Sequence, residues 1–447
     1  MEIAGQIFSI ALQAISLALF FSGAAAFGLL LKGCYALRRL ARVSSRDDTL
    51  VLLKSAMVPQ ISVVLAVRDA LPETRAGVRR LLDLHSAHHE VVLALDGVSA
   101  AGLEEWKREF RLFHTIRAVK ARGIWEAQPP SRLLVLDLER SSQPEALNAA
   151  VRAAEGSIIG CIDPQAELSM EVLLRLLRPM LEAPDEIVAC CGTAPPPPAA
   201  SLAGRFAAIE ALRMWLVRGA AFADWNMVIP APGAGLLVSR QALLEAGGFT
   251  AGPVELVLQL HGLARTAGKP YKVAFLPEPV SYLRAPATMA EARALVERDQ
   301  QAVRAAWRRR KGIAGGAGAI GWGMPALVAN RMLRPWLETI GYALAIGGLA
   351  AGIVPWRLAV LLLLCTVATG TLVSMAAVIL RELAEYRGSD PVQLAGLFFA
   401  AIPENLGYRQ VRNLWLIGAF LRNEAKTASG GNTSEARNSA APVSRTK

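Results

Sequence analysis

Metal-binding and disulfide chemistry have little to draw on in this chain, which has five cysteines and five histidines among 447 residues. The cysteines (Cys34, Cys161, Cys190, Cys191 and Cys365) are scattered through apolar stretches. They form neither a disulfide framework nor a zinc spacing, a pattern that suits a reducing compartment. The histidines (His85, His88, His89, His114 and His261) lack the i, i+4 arrangement of a helical metal pair, and the His88-His89 doublet reads as a solvated loop. No Gly-x-Gly-x-x-Gly follows the first apolar strand, and no Gly-x-x-x-x-Gly-Lys-Ser/Thr occurs anywhere. The dinucleotide fingerprint and the P-loop are thereby excluded, and any nucleotide must be held by other means. Charge is sparse, at 19% of residues, and aromatics supply only 6%.

What the chain has in excess is apolar side chains, 53% of the total, more than a soluble domain of this length usually carries. Residues 3–31 contain no charge, well beyond the roughly 20 residues a helix needs to cross the hydrocarbon core. A cleaved signal peptide is the competing reading, because Ala24-Ala25-Ala26 mimics a cleavage site. The start, however, carries Glu2 and no basic residue, and the run is long for a leader. Lys32, Arg38, Arg39, Arg42 and Arg46 follow at once and hold that flank in the cytoplasm, with the N-terminus outward.

Two further uncharged runs, 339–356 and 358–380, flank Arg357 and read as a helical hairpin. Arg308, Arg309, Arg310 and Lys311 precede the hairpin and Arg381 and Arg387 follow it, so the middle domain is expected in the cytoplasm. The basic run itself reads as a cytoplasmic anchor, with a grip on a diphosphate or lipid headgroup as the sharper alternative. None of these spans contains an interior ionisable residue, which speaks against a transporter. Residues 391–403 are apolar but too short to span, and predict an interfacial or re-entrant helix. The expected organisation is an anchor and basic flank (1–48), an α/β domain (49–312), a hairpin (313–390), an interfacial or re-entrant segment (391–425) and a disordered tail (426–447). The net charge of +11 gathers beside the apolar runs and not on an aromatic-interleaved patch, which assigns it to a membrane surface and not to nucleic acid.

Between about residues 60 and 284, short apolar runs alternate with helical patterns, the signature of parallel strands joined by crossover helices. The strand candidates are 61–67, 90–96, 133–137, 157–163, 187–191 and 235–239. In an open α/β sheet, ligands bind beyond the carboxyl ends of the strands, which makes Asp96, Asp137 and Asp163 candidate ligand contacts. The plainer alternative is that such an Asp caps the next helix or starts a turn.

The order of these segments resembles the bacterial membrane-anchored family 2 glycosyltransferases, over most of the chain. Pro59-Gln60-Ile61-Ser62-Val63-Val64-Leu65-Ala66 looks like that family's first strand, and Val91 to Ser99, with Asp96-Gly97, like its nucleotide-binding strand and turn. Ala146-Leu147-Asn148, Glu155-Gly156-Ser157 and Asp163 match the approach to its Asp-x-Asp. Gly233 to Arg240 and Gly247-Gly248-Phe249 match the acceptor-side strand and the turn after it. Residues 255–261, 270–280 and Glu404-Asn405-Leu406-Gly407-Tyr408-Arg409-Gln410 resemble one subgroup.

The resemblance implies a GT-A, Rossmann-like α/β fold with transmembrane helices, and transfer of a sugar from a nucleotide-diphosphate donor to a lipid-linked or polysaccharide acceptor at the inner membrane. It implies donor contacts at Ala66, Asp96, Asn148 and Asp163, and Mg²⁺ or Mn²⁺ on Asp163, with Glu167 as a nearby carboxylate that could compensate for Gln165. Gly235 and Trp307 fall on the acceptor side; apart from the resemblance, the flat faces of Trp215, Trp225 and Trp307 suit sugar rings, with core or interface burial as the plainer alternative for Trp215 and Trp307.

The departures concentrate on the chemistry. Asp163-Pro164-Gln165 keeps one carboxylate of the Asp-x-Asp, and a neutral Gln is a poorer ligand for a hard cation. The acidic pair expected after Gly-Gly-Phe reads Gly252-Pro253-Val254-Glu255, leaving Glu255 as the nearest base. Of a Gln-x-x-Arg-Trp only Trp307 survives, and Gln143 stands where a Lys is expected. Two readings follow, a working glycosyltransferase and a catalytically silent relative serving as a subunit of a synthase.

Overall fold

The structure, a computed structural model, describes residues 2–43, 58–85, 88–195, 201–231, 233–266, 271–309, 324–385 and 391–422. The tail expected at 426–447, Arg310 and Lys311 of the basic run, and the domain boundaries expected near residues 48 and 312 lie outside the described residues.

The chain opens with one long helix, α1 (Glu2–Val43), then alternates β1 (Ile61–Val67), α2 (Pro72–Leu82), β2 (His89–Asp96) and α3 (Ala100–Phe110). Strands β1 and β2 are buried along nearly their whole length, which is why they read as unbroken apolar runs. A short excursion, β3 (Leu112–Thr115) and β4 (Gly123–Ala127), leads to β5 (Leu133–Leu138), α4 (Gln143–Ala153), β6 (Ile158–Cys161), β7 (Glu167–Leu168), α5 (Val172–Glu182) and β8 (Ile187–Cys191). Helix α4 begins where it does because Ser142 and Glu145 form a reciprocal capping box, with Pro in the first turn. Helix α6 (Leu202–Met214) continues into a π-helical turn (Trp215–Ala221). Then come β9 (Leu236–Ser239), α7 (Arg240–Glu245), α8 (Pro253–Thr266), β10 (Lys272–Phe275), β11 (Ser281–Tyr282) and α9 (Met289–Arg309). The described residues of the last part are mostly helical: α10 (Met324–Ala350), α11 (Trp356–Leu363), a π-helical turn (Leu364–Ala368), α12 (Thr369–Glu385), α13 (Pro391–Pro403), a kinked stretch (Glu404–Tyr408) and helical residues 409–422.

Nine strands form one sheet in the order β10-β8-β9-β6-β1-β2-β5-β4-β3. The pairs β1/β2, β1/β6, β2/β5 and β8/β10 are parallel. The sequence candidates were all read as parallel, and here the structure differs. Strand β9 runs antiparallel to both neighbours, β6 and β8, and β3 and β4 form an antiparallel edge. The strand expected over 157–163 ends at Cys161, because Asp163 already belongs to a turn. Asp137 does not lie beyond a strand end. It sits within β5 and takes a hydrogen bond from Arg122 of the neighbouring chain segment (2.5 Å).

One apolar core lies on one face of the sheet and runs without a break into the helices. Val64, Val92 and Leu136 of the sheet share it with Leu30 and Leu37 of α1, Val373 and Ala377 of α12 and Tyr408. The opposite face packs against α2, α3 and α5 through Val78, Leu81, Trp106 and Leu174.

The hairpin departs from its sequence reading. Its first arm, α10, starts at Met324 and ends at Ala350, six residues before the end of the predicted run, and it contains Arg331, Arg334 and Glu338. The turn passes through Gly352 at φ +66°, where a side chain would be strained, and Pro355 precedes the second arm. Segment 391–422 is a broken helix, interrupted at Leu406 (φ −107°, ψ 78°) and Gly407 (φ 131°, ψ −71°), and α13 packs against α6 and α12.

His261 of α8 is 1% exposed, and Nε2 donates to the Val228 carbonyl at 3.0 Å. Burial disfavours the charged ring, and its pKa is lowered from 6.5 to about 4 although the carbonyl acts the other way. A depressed folded-state pKa means stability that is complete above about pH 6.5 and declines as pH falls toward 4. The expected loss is ~1.4 kcal/mol per pH unit, or about 3 kcal/mol over that window. Thermal denaturation of the full chain at pH 7.5 and pH 4.5 measures it, and a His261→Gln variant, which keeps a donor for Val228, should show a flatter profile.

Candidate functional site

The parallel strands reverse their order about β1, between β6 on one side and β2 on the other. Crevices open at the carboxyl ends of strands at such a point, and a pocket of about 300 Å³ lies there. Ala66, Val67, Arg68 and Asp69 enter it from the end of β1, Asp96 from the end of β2, Gln143 from the start of α4, and Asp163-Pro164-Gln165 from the turn after β6. Three of the four donor positions expected from the sequence, Ala66, Asp96 and Asp163, therefore share one pocket.

Asp96 is almost wholly buried, and both its oxygens are engaged. Oδ2 accepts from Arg68 Nε at 2.7 Å, while Oδ1 accepts from the Ser141 backbone N–H at 2.6 Å and hydroxyl at 3.0 Å. Burial alone would raise this carboxyl, but the Ser141 backbone bond, with those from Arg68 and the Ser141 hydroxyl, holds it below the usual carboxylate range. Arg68 also donates from Nη2 to the Ser141 carbonyl (2.9 Å) and is half exposed, and among the described residues its Nη1 makes no hydrogen bond, which leaves that edge for a ligand. Sequence reasoning missed Arg68. The rule that singled out carboxylates at strand ends applies equally to Arg68-Asp69, the first residues beyond β1.

The Asp163 turn is self-contained. Asp163 Oδ1 accepts the Gln165 backbone N–H at 2.9 Å, an Asx turn, and the Pro164 carbonyl accepts from Arg80 of α2 at 2.9 Å. Glu167 lies exposed on β7, paired across to Tyr282 of β11. Among the described residues no group of three His, Cys, Asp or Glu side chains is placed to hold a metal ion.

The remaining candidates lie elsewhere. Asn148 does not line the pocket. Its Nδ2 donates to the Phe249 carbonyl and its Oδ1 accepts the Phe249 N–H, both at 2.8 Å, so the Ala-Leu-Asn and Gly-Gly-Phe stretches are two halves of one clamp. Gly247 and Gly248 turn at φ +88° and +74° to present that backbone. Asn148→Ala should remove both bonds and lower stability by about 1–3 kcal/mol, seen as a Tm decrease of several degrees.

Glu255 stands in the first turn of α8 at 1% exposure, outside the pocket lining. Gly235 is buried just before β9, where its carbonyl accepts from Gly192 N at 2.7 Å. Trp307 is half-buried near the end of α9. Trp215 is buried, with Nε1 donating to the Pro277 carbonyl at 2.9 Å, while Trp225 lies under the Lys32 ammonium, 3.1 Å from its ring centre. The structure does not gather these tryptophans and Gly235 into one groove with Asp163.

The Glu404 to Gln410 stretch is also structural. Glu404 accepts from Arg213 Nη2 (2.7 Å), Ser374 (2.8 Å) and Asn405 Nδ2 (2.6 Å). Arg409 binds Asn405 Oδ1 (3.0 Å) and both oxygens of Glu338, and Gln410 reaches Tyr342. A motif read for its resemblance is a knot that ties the broken helix to α6, α10 and α12.

No protein-family model matches the chain, and no curated protein matches it. Among solved structures, it is similar to the mannosyltransferase PcManGT from Pyrobaculum calidifontis in complex with GDP-Man and Mn²⁺, with 19% identity and a TM-score of 0.52 over 89% of this chain and 99% of that one. A mycobacterial protein aligns with 59% of this chain and 78% of its own at 16% identity and a TM-score of 0.36. The likeness to the mannosyltransferase shows the fold, a glycosyltransferase-like α/β architecture with a large mixed sheet whose centre is parallel.

Proposed function

We propose that this chain is a membrane-associated protein of the family 2, GT-A glycosyltransferase type, which binds a nucleotide-diphosphate sugar in the pocket of Arg68, Asp96 and Asp163 and serves transfer to a lipid-linked or polysaccharide acceptor. The observation that carries this reading is the convergence of Ala66, Asp96 and Asp163 at the carboxyl ends of the strands where their order reverses. The fold it shares with a mannosyltransferase supports the same class.

The membrane part of the reading rests on Gln6–Arg39 and Trp356–Glu382, each long and apolar enough to cross a bilayer. Ile10, Leu17 and Phe21 on the first and Leu364, Leu372 and Ile379 on the second turn outward, where lipid would cover them. With Lys32 and Arg39 on the inner side, this reading puts the α/β domain on the cytoplasmic face of a bacterial inner membrane.

Mg²⁺ or Mn²⁺, expected of an active relative, does not fit the residues present. Hard cations take several oxygen ligands, whereas Asp163 spends one oxygen on its own turn, Glu167 lies out on β7 and both oxygens of the buried Asp96 already accept hydrogen bonds. In this pocket the group placed to neutralise a diphosphate is the Arg68 guanidinium, whose planar fork suits phosphate oxygens.

A second reading, a catalytically silent subunit of a synthase, is favoured by two placements: both oxygens of the buried Asp96 are already hydrogen-bonded within the protein, and Glu255 is buried outside the pocket. Calorimetric titration of the full chain in detergent with UDP, GDP and their sugars separates the readings. The donor reading expects binding that changes less than about threefold on adding Mn²⁺ and weakens about tenfold or more, ~1.4 kcal/mol, in Arg68→Ala. Mn²⁺-dependent binding abolished by Asp163→Ala would overturn the metal-free account. No binding to any nucleotide would leave the subunit reading standing.

A further inference from the structure

A second cavity, of about 250 Å³, lies where α1, α6, α10, α12 and residues 409–422 meet, away from the residues that line the donor pocket. Five arginines line it: Arg213, Arg331, Arg334, Arg409 and Arg412. Gly23, Ala26 and Leu30 of the apolar helix α1 form another wall.

Among the described residues these arginines pair with four carboxylates. Arg331 pairs with Asp299, Arg213 with Glu404 (2.7 Å) and Arg412 with Glu210 (2.9 Å). Glu338 alone serves both Arg334 and Arg409. One positive charge is therefore unmatched in a site walled by helices. Among the described residues the Nε of Arg412 has no hydrogen-bond partner, although it is closed off from solvent and so lies behind the cavity wall, while Nη1 is held by Glu210. Burying a charge without its counterpart costs free energy, and an anion in the cavity would remove that cost.

We infer that this cavity is a binding site for a phosphate group, held by Arg412 and Arg331 with the other arginines behind them. Guanidinium groups suit phosphate oxygens, and a phosphate would share Arg331 with Asp299 and Gln300 and Arg412 with Glu210. At ~30 Å³ per water, the volume equals about eight waters. That suits a phosphate and a few attached carbons, and falls short of the ~300–1,000 Å³ typical of larger ligands. The Gly23, Ala26 and Leu30 wall gives those carbons an apolar surface. A lipid headgroup and free phosphate share this chemistry. The lipid source rests on the membrane reading above, whereas the phosphate site itself is independent of it and of nucleotide binding.

The test uses the full chain in a neutral detergent, titrated with dihexanoyl phosphatidic acid, inorganic phosphate and dihexanoyl phosphatidylcholine, with Tm and calorimetric affinity as readouts. Phosphatidic acid is expected to raise Tm and the zwitterionic lipid to leave it unchanged. Arg412→Gln should weaken binding about tenfold or more. Glu210→Gln, which removes the carboxylate competing for Arg412, should strengthen it several-fold. The opposite signs keep the test decisive even if Arg412→Gln fails to fold. Tighter binding of phosphatidic acid than of phosphate supports the lipid source, and equal binding supports the soluble one. If neither binds, or if Glu210→Gln leaves affinity unchanged or weaker, the site is overturned.

Discussion

Glu338→Ala should leave little folded protein. The Glu338 carboxylate is 1% exposed and accepts from Arg334 Nε at 2.8 Å, Arg409 Nε at 3.0 Å, Arg409 Nη2, and Asn413 Nδ2 at 2.7 Å. Removing it strands two guanidinium groups in the helical interior. Breaking one buried pair costs about 3–5 kcal/mol, because the surviving charge has no partner, and native proteins have only about 5–15 kcal/mol in total. Size-exclusion profile and thermal denaturation in detergent are the readouts. Glu338→Gln, which keeps the shape and one acceptor oxygen, should fall between wild type and alanine. A wild-type Tm for the alanine variant would show that water reaches these arginines, and would refute the buried-pair account.

Gly156→Ala should be nearly as damaging, for a steric reason. An added Cβ would stand 2.6 Å from the Gln60 carbonyl oxygen, 2.6 Å from Ser62 Oγ and 2.8 Å from Ser62 N. Two of those atoms are backbone at the start of β1, in the middle of the sheet, and cannot yield. The same contact carries a buried chain of bonds: Gly156 N–H donates to Ser62 Oγ (2.8 Å), Ser62 Oγ to Glu90 Oε1 (2.5 Å), and Glu155 N–H to the same oxygen (2.7 Å). Expulsion of β6 from this seat should cost more than ~4 kcal/mol, the range reserved for a disrupted core. Ser157→Ala, next in the chain but exposed, should stay within about 0.5 kcal/mol.

The contrast between Gly156 and Ser157 shows what the sequence could disclose. Apolar runs made β1, β2, β5 and β8 legible with almost correct ends, since burial on both faces is written locally into each strand. Strand direction was not legible, and β9 runs opposite to the expectation because nothing within 235–239 encodes its neighbour's sense. The pocket was half legible. Strand-end position pointed to Asp96 and Asp163, but the Arg68 to Asp96 bond joins residues 28 apart, and the Asn148 clamp joins residues 101 apart. Such pairings come from tertiary packing and leave no periodic trace. Asn148, Gly156 and Glu404 were read as parts of a chemical apparatus or of a family likeness, and each has a packing task. Length alone could suggest an interfacial or re-entrant segment over 391–425, but not that Arg213 from the α/β domain would hold its break at Glu404.

The continuous core also sets a schedule for making the protein. Leu30 and Leu37 emerge from the ribosome more than 330 residues before Val373, Leu397 and Tyr408, which complete the same core. At roughly 5–20 residues per second of synthesis, the early helix waits tens of seconds for these partners. Through that interval its apolar surface must be sheltered by lipid or a chaperone. A nascent chain arrested before residue 391 should therefore be open to protease at sites that the finished protein conceals.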